Sequence, residues 1–477
     1  MNTKPTQNRD PNAVKPSKQG TQSLWEVLKL ICDVRMLWIF LLGFCSGYPL
    51  AVWSSVQNLW LASLDIKKST IGLFGLLGFG YAVNWLWAPG VDHIRIPWLH
   101  RIGHWKSWLV LCLTVMAMAT VCISLFVIFE PEKSFFKQSA FLSSIAFLPV
   151  YETAVLFLFA IFLFVIAWTS ATLDIVTAAY RINIIKTTET RLVSLAASME
   201  VAGWWVGFGF IAGLAFWLVE GIGWNMVYAG LALIFVLLAV TVGFGLGEPE
   251  RLPREPIKRF FDLLDKTHFG ALIEFFKRNG FALAILVLAF VFSFKLGEAF
   301  LGKMSIVFYE NIGYTAPQIG TYSKWVGTLI TVGTTIVAGF FVARFKILPT
   351  LVISGLGMSA TNIMFAWIAI NATKHGMPSE VLYLWTTILD GISGAIAGVA
   401  FVSFITHYTS RVHSATQYAA LASLGTLGRT TLASFSGFLV EGLGDNWALF
   451  FILTSVVILP VLLLLWPIHR IMKRRGT

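Results

Sequence analysis

The sequence predicts an all-α membrane protein of about twelve transmembrane helices in two six-helix bundles, and three observations carry that prediction. The chain is 57% hydrophobic and 12% charged over 477 residues, with a mean hydropathy of +0.76, too apolar for a water-soluble protein of this length. Apolar runs of about 20 residues, the length that crosses a hydrocarbon layer of roughly 30 Å as a helix, recur along the chain, while the two-residue alternation of a membrane barrel is absent. A polar stretch after the sixth run divides the set six and six. A net charge of +11 would suggest nucleic acid in a soluble chain. Here Lys and Arg fall in short loops and at the termini, where they set topology, so no nucleic-acid partner is expected.

The elements follow in order. Residues 1 to 22 are polar, basic and rich in Pro, Asn and Gln, and they lack the apolar core of a signal peptide; residues 1–35 read as a cytosolic tail and entry. The N-terminal bundle, 36–246, holds spans at roughly 36–56, 70–91, 107–129, 154–182, 193–219 and 224–246. Residues 247–279 open as GEPERLPREP and continue as an amphipathic stretch. Its Ile257, Phe260, Phe261, Leu264, Leu272, Phe275 and Phe276 share one face, and Lys258, Arg259 and Lys277 are placed to meet lipid phosphates, which describes a cytosolic linker lying on the membrane. The C-terminal bundle, 280–477, holds spans at roughly 280–309, 317–342, 348–370, 380–407, 414–440 and 447–469 and a short basic tail. Basic loops (Arg95, Arg101 and Lys106; Arg181, Lys186 and Arg191; Arg344 and Lys346; Arg411) alternate with loops carrying Glu220, Glu310, Glu441 and Asp445, which puts both termini in the cytoplasm.

The halves echo one another. WLVEGIG at 217–223 returns as FLVEGLG at 438–444, each closing the fifth span of its half, and Ile71-Gly72 and Ile319-Gly320 open the two second spans. Glycine runs at 72–80 (GLFGLLGFG) and 391–398 (GISGAIAG) are read as surfaces for close helix packing. The four cysteines, Cys32, Cys45, Cys112 and Cys122, show neither CxxC nor metal-ligand spacing, so no metal or other cofactor is expected, and no GxxxxGK[ST] loop offers ATP as a driver.

Function is signalled by charges inside the spans: Asp174, Arg181, Glu200, Lys295, Glu298, Lys303, Lys324, Asp390 and Arg429. A charge at mid-bilayer costs roughly 2.5 to 3.5 kcal/mol even on lenient insertion scales, so it persists with a partner, in a water-filled cavity, or for a task. Asp174 and Arg181 are seven apart and return to one helix face, with Thr177 between them, so they read either as an internal ion pair or as part of a substrate or proton site. Lys295 and Glu298 are i,i+3 neighbours, which can be a structural pair or part of a polar path. Charges spread over both halves favour groups converging on such a path.

These segments together resemble one family within the major facilitator superfamily, the AmpG muropeptide permeases, relatives of the acetyl-CoA transporters. The resemblance covers nearly all of 36 to 470 and rests on GFCSGYPLAVWSSVQNLWL (43–61), IKKSTIGLFGL (66–76), LWAPGVDH (86–93), LDIV (173–176), FKLGEAF (294–300) and HSATQYAALASLGTLGR (413–429). It implies the twelve-helix fold, a bacterial inner-membrane location, no enzymatic activity, and import of GlcNAc-anhydroMurNAc peptides with a proton, for peptidoglycan recycling and the linked induction of beta-lactamase and beta-lactam resistance. Asp174, Lys295, Glu298 and Arg429 match family positions; Ala178 and Asn183 stand where the family commonly carries further acids. For such a ligand, Asp174, Glu298 and Asp390 are the candidate proton carriers. Arg181, Lys295, Lys324 and Arg429 would meet peptide carboxylates, and Gln57, Asn58, Gln417 and Tyr418 would hydrogen-bond sugar hydroxyls. A monomer is expected, with lipid, proton and glycopeptide as partners. The alternative reading is a major facilitator carrier or exporter of another organic anion, acyl-CoA-like or a glycoconjugate.

Overall fold

A computed structural model describes residues 33–128, 149–185, 190–249, 270–376, 378–409 and 414–475. Among the described residues nine helices are long and apolar enough to cross a membrane; with Ser198–Gly245 divided at its Gly223 kink, and with the helical stretches 316–345 and 414–442 added, twelve helical segments follow one another. In the first half they are α1 (Val34–Ser63), α2 (Lys68–Leu86), α3 (His104–Ile128), α4 (Pro149–Ile184), α5 (190–222) and α6 (224–245). In the second they are α7 (Phe281–Asn311), α8 (316–345), α9 (Ile347–His375), α10 (Glu380–Tyr408), α11 (414–442) and α12 (Trp447–Leu463). Residues 257–264 of the linker and Arg411 lie outside the described residues; the helix Gly270–Asn279 is present, with Phe275 buried and Lys277 exposed.

Local chemistry sets several boundaries. Asp33 caps α1 through the Arg35 N–H at 2.8 Å, and Asn446 caps α12 through the Leu449 N–H at 3.0 Å. Gly223 (φ 78°, ψ 164°) separates α5 from α6 in a conformation that residues with side chains rarely adopt, and Gly444 also has a positive φ (64°) after α11. These are the final glycines of the two echoed heptapeptides, so that echo marks the same turn in each half. The pseudo-symmetry extends to contacts between the halves: Gly72 of α2 presses on the Ser434 carbonyl of α11, and Gly320 of α8 on the Gly213 carbonyl of α5.

Within the first half α1 crosses α5 at backbone contact. A Cβ at Gly43 or Gly47 would run into the Glu200 or Trp204 carbonyl, and one at Gly203 or Gly207 into the Phe40 or Phe44 carbonyl. This is a reciprocal pair of GxxxG faces, where small residues let two helices approach without a gap. Gly47→Leu is therefore expected to destabilise the fold by more than the roughly 1–3 kcal/mol of ordinary overpacking, because the obstacle is backbone. A large loss of monodisperse protein on heating, with Gly230→Ala on open α6 surface unaffected, is the measurement that checks it.

The two halves meet mainly toward one end of the bundle. Lys68 Nζ pairs with Asp445 at 2.9 Å, Ser69 N and Oγ both donate to Glu441 Oε1 at 2.8 and 3.0 Å, and Trp217 Nε1 donates to Thr321 at 2.9 Å. Trp325, whose ring stacks on Trp217 and Phe210, donates to the Phe210 carbonyl at 3.1 Å. All these residues lie within about four helical turns of the end where α1 runs into α2 and α11 into α12.

Candidate functional site

The site is built where regular helix gives way. Three helices carry a widened, π-helical stretch: Ala51–Val56 in α1, Val206–Phe210 in α5 and Gly320–Val326 in α8. The Gln57 N–H reaches the Val52 carbonyl and the Gly327 N–H the Tyr322 carbonyl, five residues back rather than four. Such bulges re-aim side chains and concentrate at functional sites. Here all three converge on one residue. Lys324, in the α8 bulge, is buried, donates to Ser55 Oγ of the α1 bulge at 2.7 Å, and stands 5.0 Å from the Phe208 ring centroid of the α5 bulge. Among the described residues no carboxylate pairs with it.

A fourth irregularity is in α7, which breaks at Lys295 (φ −99°, ψ 13°) between Phe281–Ser293 and Leu296–Asn311. The break places Glu298 in the first turn of the new segment, where the helix dipole favours an anion, and Lys295 Nζ meets it at 2.9 Å. Room for the pair comes from α10: Gly394 lies beside the Glu298 carboxylate and Gly398 beside the Lys295 ammonium, while Gly391 packs on Ile330. Gly297 of FKLGEAF touches the Thr454 carbonyl and Ile458 of α12 and leaves no space for a side chain. Asp390, at the head of the α10 glycine run, accepts from Thr361 Oγ1 at 2.9 Å and lies within Coulomb reach of the Lys295–Glu298 pair.

Lys324 and Asp390 line one cavity of about 170 Å³ between the halves, walled by Trp205 and Phe208 of α5, Leu301, Ser305 and Tyr309 of α7, Thr328 and Thr331 of α8, Phe365 of α9 and Thr387 of α10. Just outside that lining, Lys303 Nζ donates to Asn58 Oδ1 and Asn58 Nδ2 to the Lys303 carbonyl, both at 3.4 Å. The neighbouring Gln57 is fully buried, and neither atom of its amide has a hydrogen-bond partner among the described residues. A stranded amide of this kind costs about 1–3 kcal/mol, which water or ligand would relieve.

Other residues singled out from the sequence lie elsewhere. Asp174 accepts from Ser46 Oγ of α1, and Thr177 donates to the Asp174 backbone carbonyl at 3.0 Å. Arg181 turns from Asp174 to Glu200 of α5, at 2.5 Å. Gln417 is buried against the helix Gly270–Asn279, bonded to Glu274 at 2.5 Å and Arg278 at 3.3 Å. Arg429 is exposed, between Gly428, which packs on Phe292, and Thr430, which lies beside Gly78. The Tyr418 side chain lies outside the described residues. Conversely, neither charge nor spacing singles out Ser46, Ser55, Thr361 or the three bulges, although Ser46 and Ser55 lie within the segment 43–61. Ser and Thr in apolar spans were the available signal, and they are too common to single out.

Comparison with known proteins supplies context. A family model described as Major Facilitator Superfamily matches residues 132–423. A relative named "Putative transporter AmpG 4" of Rickettsia conorii (strain ATCC VR-613 / Malish 7) is 32% identical over 446 residues, covering 92% of this chain and 97% of its own. The "Anhydromuropeptide permease" of Escherichia coli (strain K12) is 27% identical over 444 residues, covering 92% and 81%. Among solved structures, the nucleoside transporter NupG superposes with a TM-score of 0.65 at 15% identity, over 91% of this chain and 99% of that one. A bacterial homolog to the human lysosomal transporter Spinster gives 0.63 at 13%, over 95% and 99%. These two likenesses speak to the fold alone.

Proposed function

This chain belongs to the Major Facilitator Superfamily, as a multi-span transporter rather than an enzyme, and from that premise we propose that it imports anhydro-muropeptides from periplasm to cytoplasm together with protons. The observation that carries the reading is the near-full-length similarity to an anhydromuropeptide permease, joined to a charged, hydroxyl-lined cavity between the two halves. In this reading the bundles 36–246 and 280–477, joined by the cytosolic linker 247–279, sit in the bacterial inner membrane with both termini cytoplasmic. The end closed by Lys68–Asp445 and Ser69–Glu441 then faces the periplasm. Lys324 meets a ligand carboxylate, Gln57 and Asn58 meet polar groups of the glycopeptide, and Asp174 or Glu298 carries the proton.

Vesicles of both orientations test direction and driving force together. Right-side-out vesicles expressing the protein are expected to accumulate labelled muropeptide when the outside is made acidic, and inverted vesicles with an acidic lumen are not. Accumulation restricted to the inverted vesicles would make the protein an exporter; no uptake under any gradient would remove the muropeptide reading.

A further inference from the structure

Lys324 and Asp390 are opposite charges on the wall of one cavity, yet they do not pair with each other within 4.0 Å, and among the described residues neither has another ion-pair partner. Each is held by one neutral hydroxyl from a different helix, Lys324 by Ser55 at 2.7 Å and Asp390 by Thr361 at 2.9 Å. The nearby Lys295–Glu298 pair is neutral as a unit and discharges neither. Two desolvated charges kept apart in this way are costly unless something else completes them. A plain anion would satisfy Lys324 and be repelled by Asp390; a plain cation would meet the reverse. A group that carries both signs satisfies both.

Resting on the reading of the protein as a glycopeptide transporter, we infer that this cavity receives a zwitterionic amino-acid head group of the ligand, its carboxylate on Lys324 and its ammonium on Asp390. The volume, about 170 Å³, is well below the roughly 300–1,000 Å³ that engulfs a whole drug-sized ligand, so the cavity takes one end of a larger molecule. Phe208 and Tyr309 supply apolar wall beside the charges. Such a head group carries its ammonium and its carboxylate on one carbon, both free of the peptide linkage. Asp390 is thereby a specificity residue for the ligand rather than a carrier of the coupled proton.

The test uses the purified full chain in liposomes and a ligand series: the anhydro-disaccharide peptide with the free amino-acid centre, the same with that amine acetylated, the same with that carboxylate amidated, and the disaccharide without peptide. Loss of one charge-assisted contact predicts that acetylation or amidation each raises the half-saturating concentration about tenfold or more. Asp390→Asn should shrink the acetylation effect to about threefold or less while keeping pH-driven uptake of the acetylated ligand, and Lys324→Met should shrink the amidation effect likewise. The series on the unaltered protein decides even where a variant folds poorly. Uptake of all the peptides with equal half-saturation would overturn this inference and leave the glycopeptide reading standing. Uptake of none would remove that reading and the inference with it.

Discussion

Asp174→Asn or Glu298→Gln is expected to abolish uphill accumulation of the glycopeptide while leaving substrate exchange across the membrane in place. A proton carrier must change its occupancy as the site turns from one side to the other. For a carboxylate the levers are desolvation, which penalises the charge, and a nearby cation, which favours it. The two candidates sit differently with respect to those levers. Glu298 has Lys295 at 2.9 Å, whereas Asp174 accepts from Ser46 and, with Arg181 committed to Glu200, pairs with no cation among the described residues. An amide keeps the shape of the protonated acid and cannot release a proton, so it locks the coupling step and leaves binding and rearrangement available. One proton per substrate across one pH unit sustains at most about a tenfold gradient, since 1.4 kcal/mol is a factor of ten. The expected fall in proteoliposomes is from that ratio to about one, with counterflow of labelled substrate retained. Lys324→Met should instead raise the half-saturating concentration with the gradient response intact. Equal accumulation by the parent and by both carboxylate variants would place the proton carrier elsewhere.

The contrast between Glu298 and Arg181 shows what one sequence discloses and what it withholds. Residues three apart stay neighbours at the start of a helix as well as inside it, so Lys295–Glu298 is legible as an i,i+3 pair from spacing alone, although the break at Lys295 is not. Arg181 was placed on the Asp174 face by the same logic, but its partner Glu200 lies on another helix, and the α4–α5 contact depends on rotations that no local spacing records. Gln417 is a similar case: its amide is claimed by Glu274 and Arg278 from the linker helix, whose return onto α11 is a tertiary event. The bulges at Ala51–Val56, Val206–Phe210 and Gly320–Val326 leave no local mark, since a π turn is a tertiary compromise and not a propensity. Reciprocal GxxxG in Gly43/Gly47 and Gly203/Gly207 was readable in principle. It stayed hidden because glycine is common in spans and only the crossing of α1 with α5 selects these four.

Removing the Glu441 carboxylate should release the closed end of the bundle, and removing Asp445 should not. Glu441 Oε1 receives both the N–H and the hydroxyl of Ser69, at the first turn of α2, where unsatisfied amides and the helix dipole attract an anion. Lys68–Asp445 is a single contact, and Asp445 is 53% exposed, so solvent screens most of its value. Allowing for the exposure of Glu441 itself, its two charge-assisted bonds are worth about 1–2 kcal/mol in favour of the closed arrangement, a bias of roughly 5- to 30-fold. That is enough to move a transporter poised between two states, because a population shift follows the difference in free energy and not the number of contacts. The readout is a cysteine at Ser305, on the cavity wall, in a background with the four native cysteines replaced. Its reaction with a membrane-impermeant maleimide added from the periplasmic side is expected to quicken about tenfold in Glu441→Ala and by less than about twofold in Asp445→Ala. Glu441→Gln should fall between them, since an amide oxygen still accepts from Ser69 but without the charge. A Glu441→Ala protein labelled no faster than its parent would mean that the backbone contacts at Gly72 and Gly437 hold this end by themselves. Labelling that quickens from the cytoplasmic side instead would reverse the orientation on which the proposed direction of transport rests.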